Sequence, residues 1–118
     1  MPSDVDEHVP EQPHFYEGED IRELNALADA ILSLRDGDEI KRFLRDLCTR
    51  AELEALAHRW LIAKLLDEGL SYLTVAERAE GSTTTVTRVS QWLHHGAGGY
   101  QIALERTKKK NNSGKADE

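Results

Sequence analysis

The chain has 118 residues, 39% of them hydrophobic, and a formal charge of −7; that is enough apolar content for one domain if the hydrophobic positions fall on coherent faces. Charged residues interrupt every apolar stretch well short of the ~18 residues a membrane span needs, and residues 1–15 have neither the basic start nor the apolar run of a signal peptide. The single cysteine, Cys48, has no intramolecular partner for a disulfide, so a reducing cytoplasm is the expected compartment.

Residues 1–19 contain all three prolines, many acids and few apolar groups, a composition that cannot offset the entropy of ordering. They are expected to form a disordered acidic arm. From Asp20, a candidate N-cap, Ile21, Leu24, Leu27, Ala28 and Ile31 recur at three- and four-residue spacing, which predicts a first helix ending near Arg35. Asp36-Gly37-Asp38 breaks the pattern and offers a new cap. Ile40, Phe43, Leu44 and Leu47 then follow the i, i+3, i+4, i+7 template of a short amphipathic helix. Thr49-Arg50-Ala51-Glu52 reads as a capping box. The third helix that it starts carries Leu53, Leu56, Ala57, Trp60, Leu61, Ile62, Ala63, Leu65 and Leu66 up to Gly69, an apolar surface wider than one stripe. Such a helix needs partners on two sides, and a homodimer is the commonest solution for a core this small.

Two short helices are predicted next, Tyr72 to Ala79 and about Thr83 to His95, around Glu80-Gly81-Ser82. Their apolar residues are Val75, Ala76, Ala79, Val86, Val89 and Leu93. A small Ala76 where the helices cross, a turn at Gly81 and a cap at Ser82 give a helix-turn-helix over about 71–95. Gly96-Ala97-Gly98-Gly99 separates it from a last helix, Tyr100 to about Thr107. Residues 108–118 are expected to be a disordered, polar and basic tail. The helical domain thus spans 20–107, and the fold class is all-α with six helices.

The second helix of the motif opens with Ser82, Thr83, Thr84 and Thr85, followed by Thr87, Arg88 and Gln91. Short hydroxyl side chains at a helix N-terminus can approach base edges and phosphates closely, and Arg88 suits a phosphate or a guanine edge. The plain alternative is that the hydroxyl run only caps the helix and keeps it hydrated. Charge distribution permits the DNA reading: residues 1–20 hold seven acids and no Lys or Arg, 21–81 twelve acids and nine bases, and 82–118 three acids and six bases. The basic surplus is modest, so binding is expected to be salt-sensitive.

From Leu47 to Leu93 the sequence resembles the Trp repressor superfamily, and more closely its bacterial Trp-repressor-related branch. The residues that carry the likeness are Leu47-Cys48-Thr49, Glu54-Ala55-Leu56-Ala57-His58-Arg59, Leu65-Leu66, Ser71 and Thr85-Val86-Thr87-Arg88-Val89-Ser90, with Gly96-Ala97-Gly98-Gly99-Tyr100 typical of the related branch. The resemblance implies an intertwined homodimer with two projecting reading heads on a near-palindromic duplex, half-sites about one helical turn apart. It also aligns Thr83, Thr84 and Thr87 with residues that face DNA; with Ser71, Ser82, Arg88, Gln91 and His94 these are the candidate DNA contacts. In the family an amino-acid effector binds between core and reading head, at positions that correspond here to Thr49, Arg59, Thr85 and Arg88. Two departures put bulk in that place: Val89 stands where Trp repressor has a glycine, and Trp92 where it has a serine. Tryptophan is therefore not the expected effector. Leu73 replaces an arginine that reads a base, so the operator should differ.

No paired carboxylates, activated nucleophile, phosphate-binding glycine loop or metal-ligand spacing is present, so neither an enzyme nor a cofactor is implied. Three function classes follow: a sequence-specific regulator, a dimeric protein-interaction module on the same fold, and a regulator that senses a small carboxylate through Arg59 and Arg88.

Overall fold

The computed structural model describes residues 21–117. They form six α-helices, α1 (Leu24–Leu32), α2 (Gly37–Leu47), α3 (Arg50–Asp67), α4 (Tyr72–Ala79), α5 (Thr83–His95) and α6 (Gly99–Asp117), and no strand occurs among the described residues. The all-α, six-helix expectation holds. The expected arm at 1–19 and the cap at Asp20 lie outside the described residues. By their contacts the described residues group into two compact units, 21–58 and 59–117, with the division inside α3. No helix among them is long and apolar enough to cross a membrane.

In the first unit, α1 starts later than the apolar spacing suggests. Glu23, immediately before Leu24, is left-handed at φ 66°, a conformation that interrupts a right-handed helix. The helix closes at Ser33, whose hydroxyl donates to the Ala30 carbonyl at 2.6 Å, leaving Leu34 and Arg35 beyond its end. The cap of α2 is Asp36, which accepts from the Glu39 N–H, while the Glu39 carboxylate accepts from the Arg35 N–H. At the start of α3 both halves of the expected box are present: Glu52 N–H donates to Thr49 Oγ1 and Thr49 N–H to Glu52 Oε1, at 3.1 and 2.8 Å.

Of these two helices α2 has a side-chain cap at its start and α1 has none, and neither has a core of its own. Neither α1 nor α2 contains a buried residue, and Ile31, Leu32, Ile40 and Leu47 on them are exposed. A helix pair of this kind draws little from propensity and depends on covering its apolar face.

The second unit has a packed centre. Ile62, Ala63 and Leu65 of α3, Val75, Ala76 and Ala79 of α4, and Val86 and Val89 of α5 form one buried cluster; Trp60, Leu66, Leu70 and Tyr100 pack around it. Trp60 stacks on Tyr100 with ring centroids 6.4 Å apart and planes 9° from parallel, which fastens the beginning of α6 to α3. Left-handed glycines at the joints, Gly69 at φ 88° and Gly98 at φ 92°, stop α3 and admit α6 where a side chain would be strained.

The last helix does not end at Thr107. It runs to Asp117, so the segment expected as an unstructured tail is helical over 108–117. Two features favour continuation: Lys is a good helix former, and the basic run finds acids. Lys108 Nζ lies 2.7 Å from Asp67 of α3, and Lys109 Nζ 3.9 Å from Glu105 one turn back.

Candidate functional site

The second unit presents two helices at a tight turn, and local chemistry fixes each end. Ser71 caps α4 by accepting from Thr74 N–H, and Ser82 caps α5 by accepting from Thr85 N–H, each at 3.1 Å. The turn differs in one detail from expectation. Glu80, not Gly81, takes the left-handed position (φ 56°), and Gly81 N–H reaches back to the Ala76 carbonyl at 2.9 Å while Glu80 N–H donates to Glu77. This is the paired bonding of a Schellman close. Gly81 therefore takes the place after the left-handed residue.

The buried residues of α5 are Val86, Val89, Ser90 and Leu93, one continuous side of the helix. At 100° per residue the remaining positions form one exposed face: Thr83, His94 and Thr87 lie nearest one margin of the buried side, Gln91, Thr84 and His95 in the middle, and Arg88 and Trp92 toward the other margin, where Thr85 is half-buried. Thus six of the eight residues expected to face DNA share one face of one helix.

Their hydrogen-bonding states differ. The hydroxyls of Thr83 and Thr84 have no partner among the described residues, whereas Thr87 Oγ1 donates to the Thr83 carbonyl at 2.9 Å. Thr87 thus offers its lone pairs and its methyl group outward. The hydroxyls of Ser71 and Ser82 are engaged in the caps, and each also meets a threonine hydroxyl, Thr74 at 2.9 Å and Thr85 at 3.1 Å. Arg88 is exposed and makes no ion pair with a described residue, and the first turn of α5 contains no acid. The positive end of the helix is left open to an anion.

A network absent from the sequence reading ties the two helices together. Tyr72 at the start of α4 shares a hydrogen bond with Ser90 of α5, and Ser90 also lies 3.3 Å from His94 Nδ1. Because that ring nitrogen sits 2.8 Å from the Ser90 carbonyl, it must carry the proton. The only advance signal was a buried serine in the middle of an apolar side of α5; its partner, eighteen residues away, is set by the helix crossing.

The residues expected around an effector are less unified. Val89 is 2% exposed and belongs to the core cluster, while Trp92 is 52% exposed on the outer edge. Thr85 is engaged with Ser82. Arg59 and Arg88 are both exposed, without ion pairs to described residues, and Thr49 is the cap of α3 in the first unit. A groove of about 640 Å³ does exist in the second unit, but along α6, with Leu66, Asp67, Leu93, His94, Gln101 and Lys108 among its lining. None of the six expected pocket residues lines it. Among the described residues no group of His, Cys, Asp or Glu is placed to hold a metal ion.

Comparison with known proteins agrees with this architecture. The sequence model of the family described as "Trp repressor protein" matches residues 22–108. The chain is 41% identical over 87 residues, 74% of its length, to an uncharacterised protein of Bacillus subtilis strain 168, YerC, 84% of which is covered. Two solved structures share the fold. One, a TrpR-like protein from Eubacterium eligens, is 38% identical with a TM-score of 0.72, covering 79% of this chain and 96% of its own. The other, from Staphylococcus aureus and named provisionally as a Trp repressor, is 35% identical with a TM-score of 0.70, covering 75% and 89%.

Proposed function

The chain belongs to the Trp repressor family, and we propose that it is a DNA-binding transcription regulator that acts as a homodimer in the cytoplasm and reads a near-palindromic duplex with α5. The observation that carries this reading is the exposed edge of α5. A helix fixed from behind by Val86, Val89 and Leu93 and capped by Ser82 presents Thr83, Thr84, Thr87 and Gln91 on its exposed face. Such side chains pair with base edges and thymine methyls in a major groove, and Arg88 adds a phosphate or guanine contact.

Dimerisation is supported by the first unit. Two amphipathic helices without one buried residue between them, followed by Leu56 and Leu61 exposed on α3, leave an apolar surface that a second copy would cover. Twofold pairing would also set two α5 helices against two half-sites.

Independence from tryptophan is supported by Val89 and Trp92. An effector entering beside Arg88 and Thr85 would meet an indole one turn further along the same edge, and the valine behind it fills the helix contact that a glycine would leave open. The reading head is then held by its own packing and by the Tyr72–Ser90 bond.

Selection from a randomised duplex library, at near-physiological salt and without added ligand, tests the reading. Enrichment of a palindrome is the expected result. Weak binding that disappears as salt rises, with no sequence enriched, would contradict it and favour a protein-interaction dimer.

A further inference from the structure

The basic surplus of the C-terminal part is concentrated in α6, where Arg106, Lys108, Lys109 and Lys110 follow one another with no acid among residues 106–110. The helix continues through them to Asp117, so helical geometry, not a loose tail, sets their directions. Leu104 is buried and Tyr100 and Ala103 half-buried, which defines the inner side of α6. At 100° per residue Lys109, Arg106 and Lys110 lie in that order within about 100° of arc across the exposed remainder. Among the described residues the ion pairs of this helix are Lys108 with Asp67 at 2.7 Å and Lys109 with Glu105 at 3.9 Å, and Arg106 and Lys110 have none. The Lys109 pair is exposed on both sides, 77% and 70%, and pairs of that kind hold weakly. Arg106 therefore meets like charges three and four residues on and no acid three or four residues back, where Ala103 and Ile102 stand. Like charges at these spacings destabilise a helix, and an anion laid along the stripe would relieve them. One end of the stripe reaches the reading helix: Lys109 and His94 line the same groove, and Gln101 donates to the Leu93 carbonyl at 2.9 Å. Packing, with Tyr100 stacked on Trp60, thus holds these cations beside the last turn of α5.

We propose that the stripe of Lys109, Arg106 and Lys110 is a second contact surface for duplex DNA, taking backbone phosphates beyond the base pairs that α5 meets. This rests on the reading of α5 as the DNA-contacting helix. The partner follows from charge. A duplex carries one negative charge per ~1.7 Å of its axis, dense enough for cations one helical turn apart to find phosphates in many registers. Contacts of this kind position a protein but carry no sequence information. The two surfaces then divide the work: α6 adds affinity for any duplex, and α5 discriminates among sequences. A dimer held by its α6 stripes can stay on DNA while its α5 helices meet successive sites.

The test uses the full chain carrying Arg106→Gln and Lys110→Gln, since glutamine keeps the helix propensity. A charge-matched control carries Arg22→Gln and Lys41→Gln, two exposed bases of the first unit. Affinities for a library-enriched duplex and a scrambled one are measured over a range of salt. The stripe variant should bind both duplexes at least about tenfold more weakly at low salt, with the salt slope reduced by about four for two phosphates lost from each protomer of a dimer. Its ratio of affinities for the two duplexes should equal that of wild type, and the control should keep the wild-type slope. An unchanged slope in the stripe variant would overturn the inference, and so would an equal loss in the control, which would make net charge the cause; in both cases a wild-type preference for the enriched duplex leaves the reading of α5 standing. A wild type that binds both duplexes alike, with the slope still lost in the stripe variant, would overturn the reading of α5 and keep the stripe as the DNA contact.

Discussion

The hydrogen bond between Tyr72 and Ser90 sets α4 against α5, and its contribution can be isolated. Ser90 is 5% exposed and Tyr72 45%, so the pair is half-shielded from water. A net hydrogen bond of this sort contributes about 1 kcal/mol. Tyr72→Phe leaves Ser90 Oγ within 3.3 Å of His94 Nδ1, which moderates the penalty. Ser90→Ala frees a phenol that water can still reach, so it too should cost about 1 kcal/mol. Because both substitutions remove the same bond, the double variant should cost little more than either alone, giving a coupling of about 1 kcal/mol. Urea denaturation of the four chains at one fixed protomer concentration measures this, the concentration being held because dissociation and unfolding are linked. If the two costs simply add to within ~0.3 kcal/mol, the bond does not hold the helices together and the reasoning fails.

Other expectations follow from the same geometry. Leu47 of α2 is 51% exposed in the single chain, and covering the rest of it is worth about 1 kcal/mol; counted twice in a symmetric dimer, Leu47→Ala should weaken association roughly thirtyfold. Sedimentation equilibrium checks this, and an unchanged dimer would put Leu47 outside the interface. Calorimetric titration with tryptophan should give no saturable heat, whereas micromolar binding would refute the role assigned to Val89 and Trp92. Arg88→Ala should weaken binding to all duplexes and, with one Arg88 lost from each protomer of the dimer, reduce the salt slope by about two; a loss confined to one sequence would instead make Arg88 a base reader.

Much of this architecture was legible because it is local. The capping box at Thr49, the N-cap at Ser82, apolar spacing in α2 to α5 and the small residues of α4 act within four positions, and each appears where the pattern places it. What failed was also physical. Nothing in the spacing of Ile21 and Leu24 reveals that Glu23 turns left-handed, and the Lys108–Asp67 pair that accompanies continuation of α6 joins residues forty-one positions apart. The hydroxyl edge of α5 could be read from its threonines, but not the commitment of Ser71 to capping, nor the Tyr72–Ser90 contact. Those depend on how two helices cross.

The central claim is that the threonine edge of α5 reads bases. The most direct measurement is the ratio of affinities for a library-enriched duplex and a scrambled one, in wild type and in a Thr83→Ala/Thr87→Ala variant. Two lost base contacts, at about 1–3 kcal/mol each, should lower that ratio at least tenfold while leaving affinity for the scrambled duplex nearly unchanged. A variant that keeps the wild-type ratio would show that sequence is read elsewhere on the protein, or not at all.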